Sequence, residues 1–436
     1  MNADPRRLLI VSPHWPPVAA PDHQRARMSA PHYREHGWEP VVLAVDPDGV
    51  AAVREPELAA TVPPDLEVHH CRAWPRRLGL GNLGWRALRP LDRAGARLLR
   101  QRRFDLVFFS TTQFVTLALG PRWRRRFGVP YVVDIQDPWR TDAYEQPGAP
   151  RPPGGWKYRF ARLAARVLEE RCLRAAAGFV SVSPRYLAGL ARRYPWFAGR
   201  PQAVIPFGVS PRDLEAARSL PLPPELPARR PDEIRLVYAG AAGPALPHAA
   251  ANLFAALQDF RRAHPAAAAR LRLCLLGTQY VAAGSGQPAF AALAAAHAVG
   301  DLVFELPHRL GYLQSLRCLL DADALVLLGS DDPAYSPSKL YPYYLAGRPI
   351  LAIVRAGSHL EDLLRELACA WPAPFAPGPA AAPARERIAG FLAHAAAGFP
   401  GPAPAPRNDA YFRSNYLAGP LAARQCRLFA DALAAA

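Results

Sequence analysis

Residues 324–354 read ALVLLGSDDPAYSPSKLYPYYLAGRPILAIV. A strand-sized apolar run, Ala324–Leu328, passes into a polar loop. Lys339 then opens a helical stretch to Leu345, and a second apolar run follows at Ile350–Val354. Strand, loop, helix and strand in that order make a parallel βαβ unit, because parallel neighbours need a crossover and a helix is the usual one. The pattern continues upstream of this segment, with strands expected at Ile234–Ala239, Leu271–Leu276 and Leu302–Glu305. Helices are expected from the loop Gly240–Pro247 to Ala263, at Phe290–Val299 and at Tyr312–Leu320. The stretch Leu220–Pro231 holds five prolines and follows neither a strand nor a helix period, so it reads as a linker.

A second alternation precedes that linker. Strands are expected at Leu8–Val11, Pro40–Val45, Leu106–Ser110, Tyr131–Ile135, Phe179–Val182 and Ala203–Pro206. Helices are expected from about His23 to Gly37, at Phe114–Phe127 and at Trp156–Ala177. The fold class is therefore α/β, with two Rossmann-like doubly wound domains facing a central cleft. The expected divisions are an N-terminal domain 1–206, a linker 207–232, a C-terminal domain 233–406 and a C-terminal helix 407–436. Doubly wound sheets bind ligands at the carboxyl ends of their strands, which the cleft would place face to face.

Composition narrows the function. Half of the 436 residues are apolar and no apolar run approaches the roughly 18 residues of a membrane span. The N-terminal apolar stretch is too short for a signal peptide. Six scattered cysteines without a CxxC spacing read as reduced core residues of a cytoplasmic protein. The histidines show no ligand spacing, so no metal site and no cofactor are expected. The net charge is +17, and residues 1–218 carry +14 of it. Residues 71–126 hold 14 arginines against Asp92 and Asp105. Trp74, Leu78, Leu80, Leu83, Trp85 and Leu88 interleave with them. This suits an anionic membrane surface reached peripherally, or else a solvated face over core aromatics. A nucleic-acid protein is disfavoured, since no recognised motif accompanies the arginines.

Three segments carry candidate chemistry. In the first, Ser336, Ser338 and Lys339 stand at a helix start, where hydroxyls, an ammonium and free N–H groups would meet a diphosphate. Lys339 is one of only two lysines, the other being Lys157. Tyr341 lies in the same turn. In the second, Gly240 and Gly243 follow a strand, as does Gly277, and could let a phosphate approach the backbone or simply make tight turns. In the third, Asp134 and Asp137 end a strand beside Gln136 and Arg140, as catalytic carboxylates or as a helix cap. Asp321 and Asp323 imitate a DxD but read as helix-end residues. His14, His23, His308 and His359 read as surface or cap residues rather than as bases.

Taken together, IVSPHWPP, HGWEPVVLAVDP, VPYVVDIQDPW, VIPFGV and PSKLYPYYLAGRPIL resemble the bacterial GT-B glycosyltransferases of family 4. The resemblance implies a nucleotide-sugar donor held by the C-terminal domain and an acceptor held by the N-terminal one. It implies retaining transfer without an essential metal, in which the leaving diphosphate helps to deprotonate the acceptor. Donor contacts then fall to Gly240, Gly243, Gly277, Arg309, Ser336, Ser338, Lys339 and Tyr341. Acceptor contacts fall to His14, His23 and Arg25, and catalysis to Asp137 and Asp134. Pro342 stands where the family commonly carries a ribose-binding Glu, Gln136 where a His is common, and Gly240–Leu246 holds no Arg or Lys.

The expected activity is hexosyl transfer to a glycan or lipid-linked acceptor in cell-surface polysaccharide biosynthesis, on the inner face of the cell membrane. A sugar-nucleotide epimerase on the same fold and a non-catalytic GT-B-like binding subunit are the alternatives.

Overall fold

The computed structural model describes residues 4–76, 81–140, 155–242, 246–279, 281, 284–332, 338–399 and 407–436. The chain forms two units, Met1–Gly208 with Tyr416–Ala436, and Val209–Asn415.

The first unit holds a seven-stranded parallel sheet. Its strands are β1 (Arg6–Val11), β2 (Trp38–Val45), β3 (Glu67–Cys71), β4 (Leu106–Ser110), β5 (Tyr131–Ile135), β6 (Gly178–Ser181) and β7 (Gln202–Val204). The order is β3-β2-β1-β4-β5-β6-β7, so the winding reverses between β1 and β4. Side chains alternate across the sheet. Leu9 and Val11 enter one core with Leu91, Leu98 and Trp123. Leu8 and Ile10 enter the other with Val42, Phe108 and Phe429.

Within the basic stretch, Leu83–Gln101 is one helix, capped by the Asn82 side chain on the Trp85 N–H. Two of its glycines make room for neighbours. A Cβ at Gly84 would meet Val115, and one at Gly95 would collide with the Trp123 ring. Leu83 is core and Arg86 is buried, donating to the carbonyls of Trp74 and Gly49. Leu78 and Leu80 lie outside the described residues.

The second unit repeats the winding with six parallel strands, β8 (Ile234–Ala239), β9 (Leu271–Leu276), β10 (Val303–Leu306), β11 (Ala324–Leu328), β12 (Ile350–Arg355) and β13 (Trp371–Phe375). Their order is β10-β9-β8-β11-β12-β13, with the reversal between β8 and β11. A buried arginine fixes the start of β8. Arg235 donates to Glu233 at 2.8 Å and to Asp321 at 3.4 Å, and its N–H donates to Asp323 at 2.7 Å. The DxD-like pair is thus occupied in holding a strand.

The expected terminal helix is two helices, Asp409–Tyr416 and Ala418–Ala434. The second returns to the first unit. There Phe429 meets Phe108, Trp38 and Tyr33 at ring separations of 5.0, 5.5 and 5.9 Å. Gln425, fully buried, accepts from the Tyr33 hydroxyl at 2.6 Å and donates to Ser29 at 2.8 Å. Emptying that aromatic site leaves a cavity as well as removing transfer energy. Phe429→Ala should therefore cost about 3–5 kcal/mol, read as a lower urea midpoint with unchanged slope.

Candidate functional site

Each sheet offers a ligand position where its winding reverses, at the carboxyl ends of the two central strands. In the first unit these are β1 and β4. After β1 the chain turns through Ser12–Pro17, where the Ser12 hydroxyl donates to the His14 carbonyl at 2.9 Å. The turn Pro21–His23 then brings Asp22 beneath His14. Asp22 is buried, and its Oδ1 lies 2.7 Å from His14 Nδ1. Its Oδ2 accepts from the Thr111 hydroxyl at 3.0 Å, the Thr112 N–H at 3.2 Å and the Thr112 hydroxyl at 3.3 Å. Desolvation works to raise this carboxyl. The His14 hydrogen bond and the Thr112 N–H outweigh it and hold the group below the ordinary range.

Beside Asp22 lies a second buried cluster. Arg25 Nε donates to both oxygens of Asp134, at 3.0 and 2.9 Å, and its Nη2 donates to the Ile205 carbonyl at 2.7 Å. Ser110 and Gln136 also donate to Asp134, at 2.9 and 2.7 Å. Burial pushes the Asp134 carboxyl up against the pull of Arg25 and these donors. Four donated bonds enclose that carboxylate, so it anchors the interior and presents nothing to a substrate.

Arg25 is likewise spent on the interior and does not reach an acceptor. His23 is corrected too. It is fully buried, lies 2.7 Å from the Val18 carbonyl through Nε2, and desolvation with the nearby Arg27 charge pushes it down to about 3. Asp137 remains exposed at the end of β5, and among the described residues it makes no hydrogen bond or ion pair. Partial desolvation and the Asp22 charge push its carboxyl up.

In the second unit the reversal lies between β8 and β11. Lys339 Nζ donates to the Tyr238 hydroxyl at 2.9 Å and sits 4.6 Å from the centre of that ring. Tyr238 in turn donates to the Ala241 carbonyl at 2.8 Å. Gly240 is required here. Its φ is 145°, and a Cβ would collide with Lys339 Cε and Nζ. The Ala239 N–H donates to Tyr343 at 2.8 Å, tying the lysine's helix to the strand end. Desolvation pushes the Lys339 amine down to about 8, and among the described residues no carboxylate pairs with it.

Gly277, with φ 68°, ends β9 against the backbone of His308 and Arg309. Ser338 is exposed beside Lys339. Tyr341 is a core residue with its ring tilted towards Phe412, which departs from the donor contact expected of it. Gly243 and Ser336 lie outside the described residues.

Two pairings had no signal in the sequence. One is His14 with Asp22. The other is His248 with Asp331, at 2.7 Å, where the first turn of the helix Pro247–Ala263 meets the loop after β11. Asp331 Oδ1 is buried with no partner among the described residues.

Residues 23–208 match a family model described as a glycosyl transferase 4-like domain. The HepE protein of Anabaena, solved in complex with UDP, is similar at 13% identity and a TM-score of 0.53, covering 98% of this chain and 99% of its own. Its complex with UDP-glucose aligns at 14% identity and 0.50, over 97% and 95%. A glycosyltransferase from Rickettsia africae aligns at 12% identity and 0.55, over 99% of both chains. No curated protein sequence matches the chain. At these identities the structural likeness shows the fold, which is GT-B, and the family-model match bears out the resemblance to family 4.

The buried pair sets a stability test. Removing one partner of a buried ion pair strands the other charge and costs about 3–5 kcal/mol, whereas replacing both with apolar groups of similar volume is far milder. Asp134→Ala should show that loss in urea unfolding, and Arg25→Met combined with Asp134→Leu should recover most of it.

Proposed function

We propose that this chain, a GT-B protein whose residues 23–208 match the glycosyl transferase 4-like domain, moves a hexosyl group from a nucleoside diphosphate sugar to a glycan or lipid-linked acceptor. The observation that carries the reading is Lys339. A desolvated ammonium without a counter-ion among the described residues is costly, and it is packed against Gly240 at the end of β8, in the space a side chain would fill. A diphosphate at that strand end would relieve the charge. HepE, solved with UDP and with UDP-glucose, binds ligands of this class.

We assign retention and metal independence to the transfer, with Lys339 meeting the charge of the departing diphosphate. Gly277, Arg309 and Ser338 complete the donor side, and Asp137 faces the transferred sugar. An epimerase would need paired acid and base carboxylates, and the enclosure of Asp134 leaves Asp137 without its partner.

The test is binding of UDP, GDP and TDP followed by thermal unfolding, with product analysis on the corresponding sugars. A nucleotide that binds only the native state adds about 2.7 kcal/mol at a hundredfold excess over Kd. Lys339→Ala should weaken the preferred nucleotide by roughly 1.5–3 kcal/mol in isothermal titration. The ammonium form predominates below about pH 8. Affinity of the unaltered protein should therefore fall as pH rises through that value, and Lys339→Ala should lose this dependence. In the free protein the lysine's native value lies below its unfolded one. The charged amine then costs stability below about pH 8, and the cost fades as pH rises towards the ordinary lysine range. Lys339→Ala should thus be no less stable at neutral pH.

We further assign the first unit to an anionic membrane surface, in a protein acting in cell-surface polysaccharide biosynthesis on the inner face of the cell membrane. Arg89, Arg93, Arg97 and Arg100 lie exposed along the helix Leu83–Gln101 at spacings that share one face. Among the described residues the exposed large apolar side chains are Val53 and, on the helix Gly155–Arg174, Phe160, Leu163 and Val167. Each arginine near an anionic surface adds about 1 kcal/mol. Co-sedimentation with vesicles containing anionic lipid should be strong at low salt and weak at high salt. Neutral vesicles should leave the protein in the supernatant.

A further inference from the structure

We propose that a cavity at the carboxyl edge of the first sheet, between the ends of β2 and β3, binds a phosphorylated sugar, and that this sugar is the acceptor. The acceptor role rests on the transferase reading above; the binding does not. Val45 at the end of β2 pairs with Cys71 at the end of β3, so Asp46 and Arg72 leave the sheet side by side. They do so on the edge where β1 and β4 also end, since the whole sheet is parallel. The cavity between them measures about 500 Å³ and belongs wholly to the first unit. That is the size of a small-molecule site. Its walls are the turn after β2, the segment after β3 and the start of the helix Leu83–Gln101.

Three arginines line it, Arg72, Arg76 and Arg86, and none has an ion pair among the described residues. Arg86 is the informative one, being only 3% exposed. Its Nη1 donates to the Trp74 carbonyl at 2.7 Å and its Nη2 to the Gly49 carbonyl at 2.8 Å, which ties two walls together. Its Nε is buried without a partner among the described residues. Carbonyls satisfy hydrogens but do not neutralise a guanidinium, and a charge held out of water without a counter-ion is costly. Burial, and then the Arg76 charge, draw Arg86 below the ordinary arginine range. The acids of the cavity are engaged elsewhere. Asp48 pairs with Arg54 at 2.8 Å, and Asp46 Oδ1 accepts the Asp48 N–H at 3.0 Å.

Such a pattern suits a phosphate monoester, which brings a charge of about −1.5 to −2 and three acceptor oxygens. Guanidinium forks match those oxygens in geometry as well as charge. Half-buried Trp74 gives the cavity an apolar wall for a sugar ring, and the Arg89 guanidinium braces the indole at 5.6 Å from its centre. The second oxygen of Asp46 remains to receive a sugar hydroxyl. A merely solvated basic face would keep its guanidinia in water, whereas this one buries Arg86 in the wall of a cavity. The phosphate takes no part in the transfer. An acceptor hydroxyl oxygen bonds to the anomeric carbon, and the nucleoside diphosphate leaves with the bonding pair and takes the proton. The arginines only hold the acceptor. A free sugar phosphate and the phosphorylated head of a lipid-linked sugar present the same chemistry to them.

The experiment titrates the full chain with glucose, galactose and mannose 1-phosphates, with the methyl glycosides of the same sugars, and with inorganic phosphate. At least one sugar phosphate should bind about tenfold more tightly than its methyl glycoside and than inorganic phosphate, the margin of a charge-assisted bond. Arg72→Gln combined with Arg76→Gln, both at exposed positions, should weaken it by about tenfold to hundredfold. The rise in melting temperature caused by the preferred nucleotide should be unchanged in that variant. Arg86→Met should weaken the sugar phosphate as well, and should it fail to fold, the exposed pair still decides. The farnesyl phosphodiester of the best sugar separates the sources: tighter binding marks a lipid-linked acceptor and exclusion a free one, and both uphold the site. With UDP-glucose, GDP-mannose and TDP-glucose supplied, the bound sugar phosphate should gain a hexose. Equal affinity in the double variant, or no preference for any sugar phosphate over its methyl glycoside, overturns the site. A sugar phosphate held by the arginines yet left unmodified while a neutral glycan is glycosylated overturns its acceptor role. Arginine-dependent binding in a chain that binds no nucleotide overturns the transferase reading and leaves the site standing.

Discussion

The Arg25–Asp134 pair is the constraint around which the first unit is arranged. It joins the helix Gln24–Ser29 to the end of β5 and, through the Ile205 carbonyl, to the chain leaving β7. An arginine fork held at both ends fixes the turn before it. That turn carries Asp22, and Asp22 fixes His14. A loop rich in proline and short of secondary structure is thus set by one charge pair in the interior. Such a pair adds little net stability against an apolar substitute, since desolvation offsets most of its attraction. What it contributes is position.

Strands with continuous apolar character were readable from the chain, because burial on both faces leaves no polar alternation to confuse. β4, β11 and β12 are closest to this kind, while β8 and β9 each carry one arginine, Arg235 and Arg272, in an otherwise apolar run. Two edge strands were not. β3 is Glu67–Cys71, with two adjacent histidines and only partial burial, and β13 carries Pro372 and Pro374, which an edge tolerates and an interior does not. The helix from about His23 to Gly37 is short and flanked by tight 3₁₀ turns, since Pro21 and Pro31 sit at the starts of those turns.

The site divides in the same way. Lys339 and Gly240 stood out as local anomalies of residue type, and the structure puts one against the other. Arg25, Asp134 and His23 were visible as polar residues near strand ends, but their burial follows from partners far along the chain. The His14–Asp22 pair depends on Thr111 and Thr112, some ninety residues downstream of Asp22. No spacing rule spans such a separation.

Lysine at 339 is informative in a chain that otherwise uses arginine almost throughout. A guanidinium stays charged at any accessible pH and needs a planar partner, whereas an ammonium is a compact charge whose protonation responds to burial. The helix Ala418–Ala434 has a different bearing, on synthesis. Phe108, Trp38 and Tyr33 emerge from the ribosome long before Phe429, the residue that covers them. That face of the first unit's sheet, already part-covered by Ala26, Ala30 and Tyr33, is therefore completed only once the final helix has been translated, and until then its aromatic residues stay open to wrong contacts.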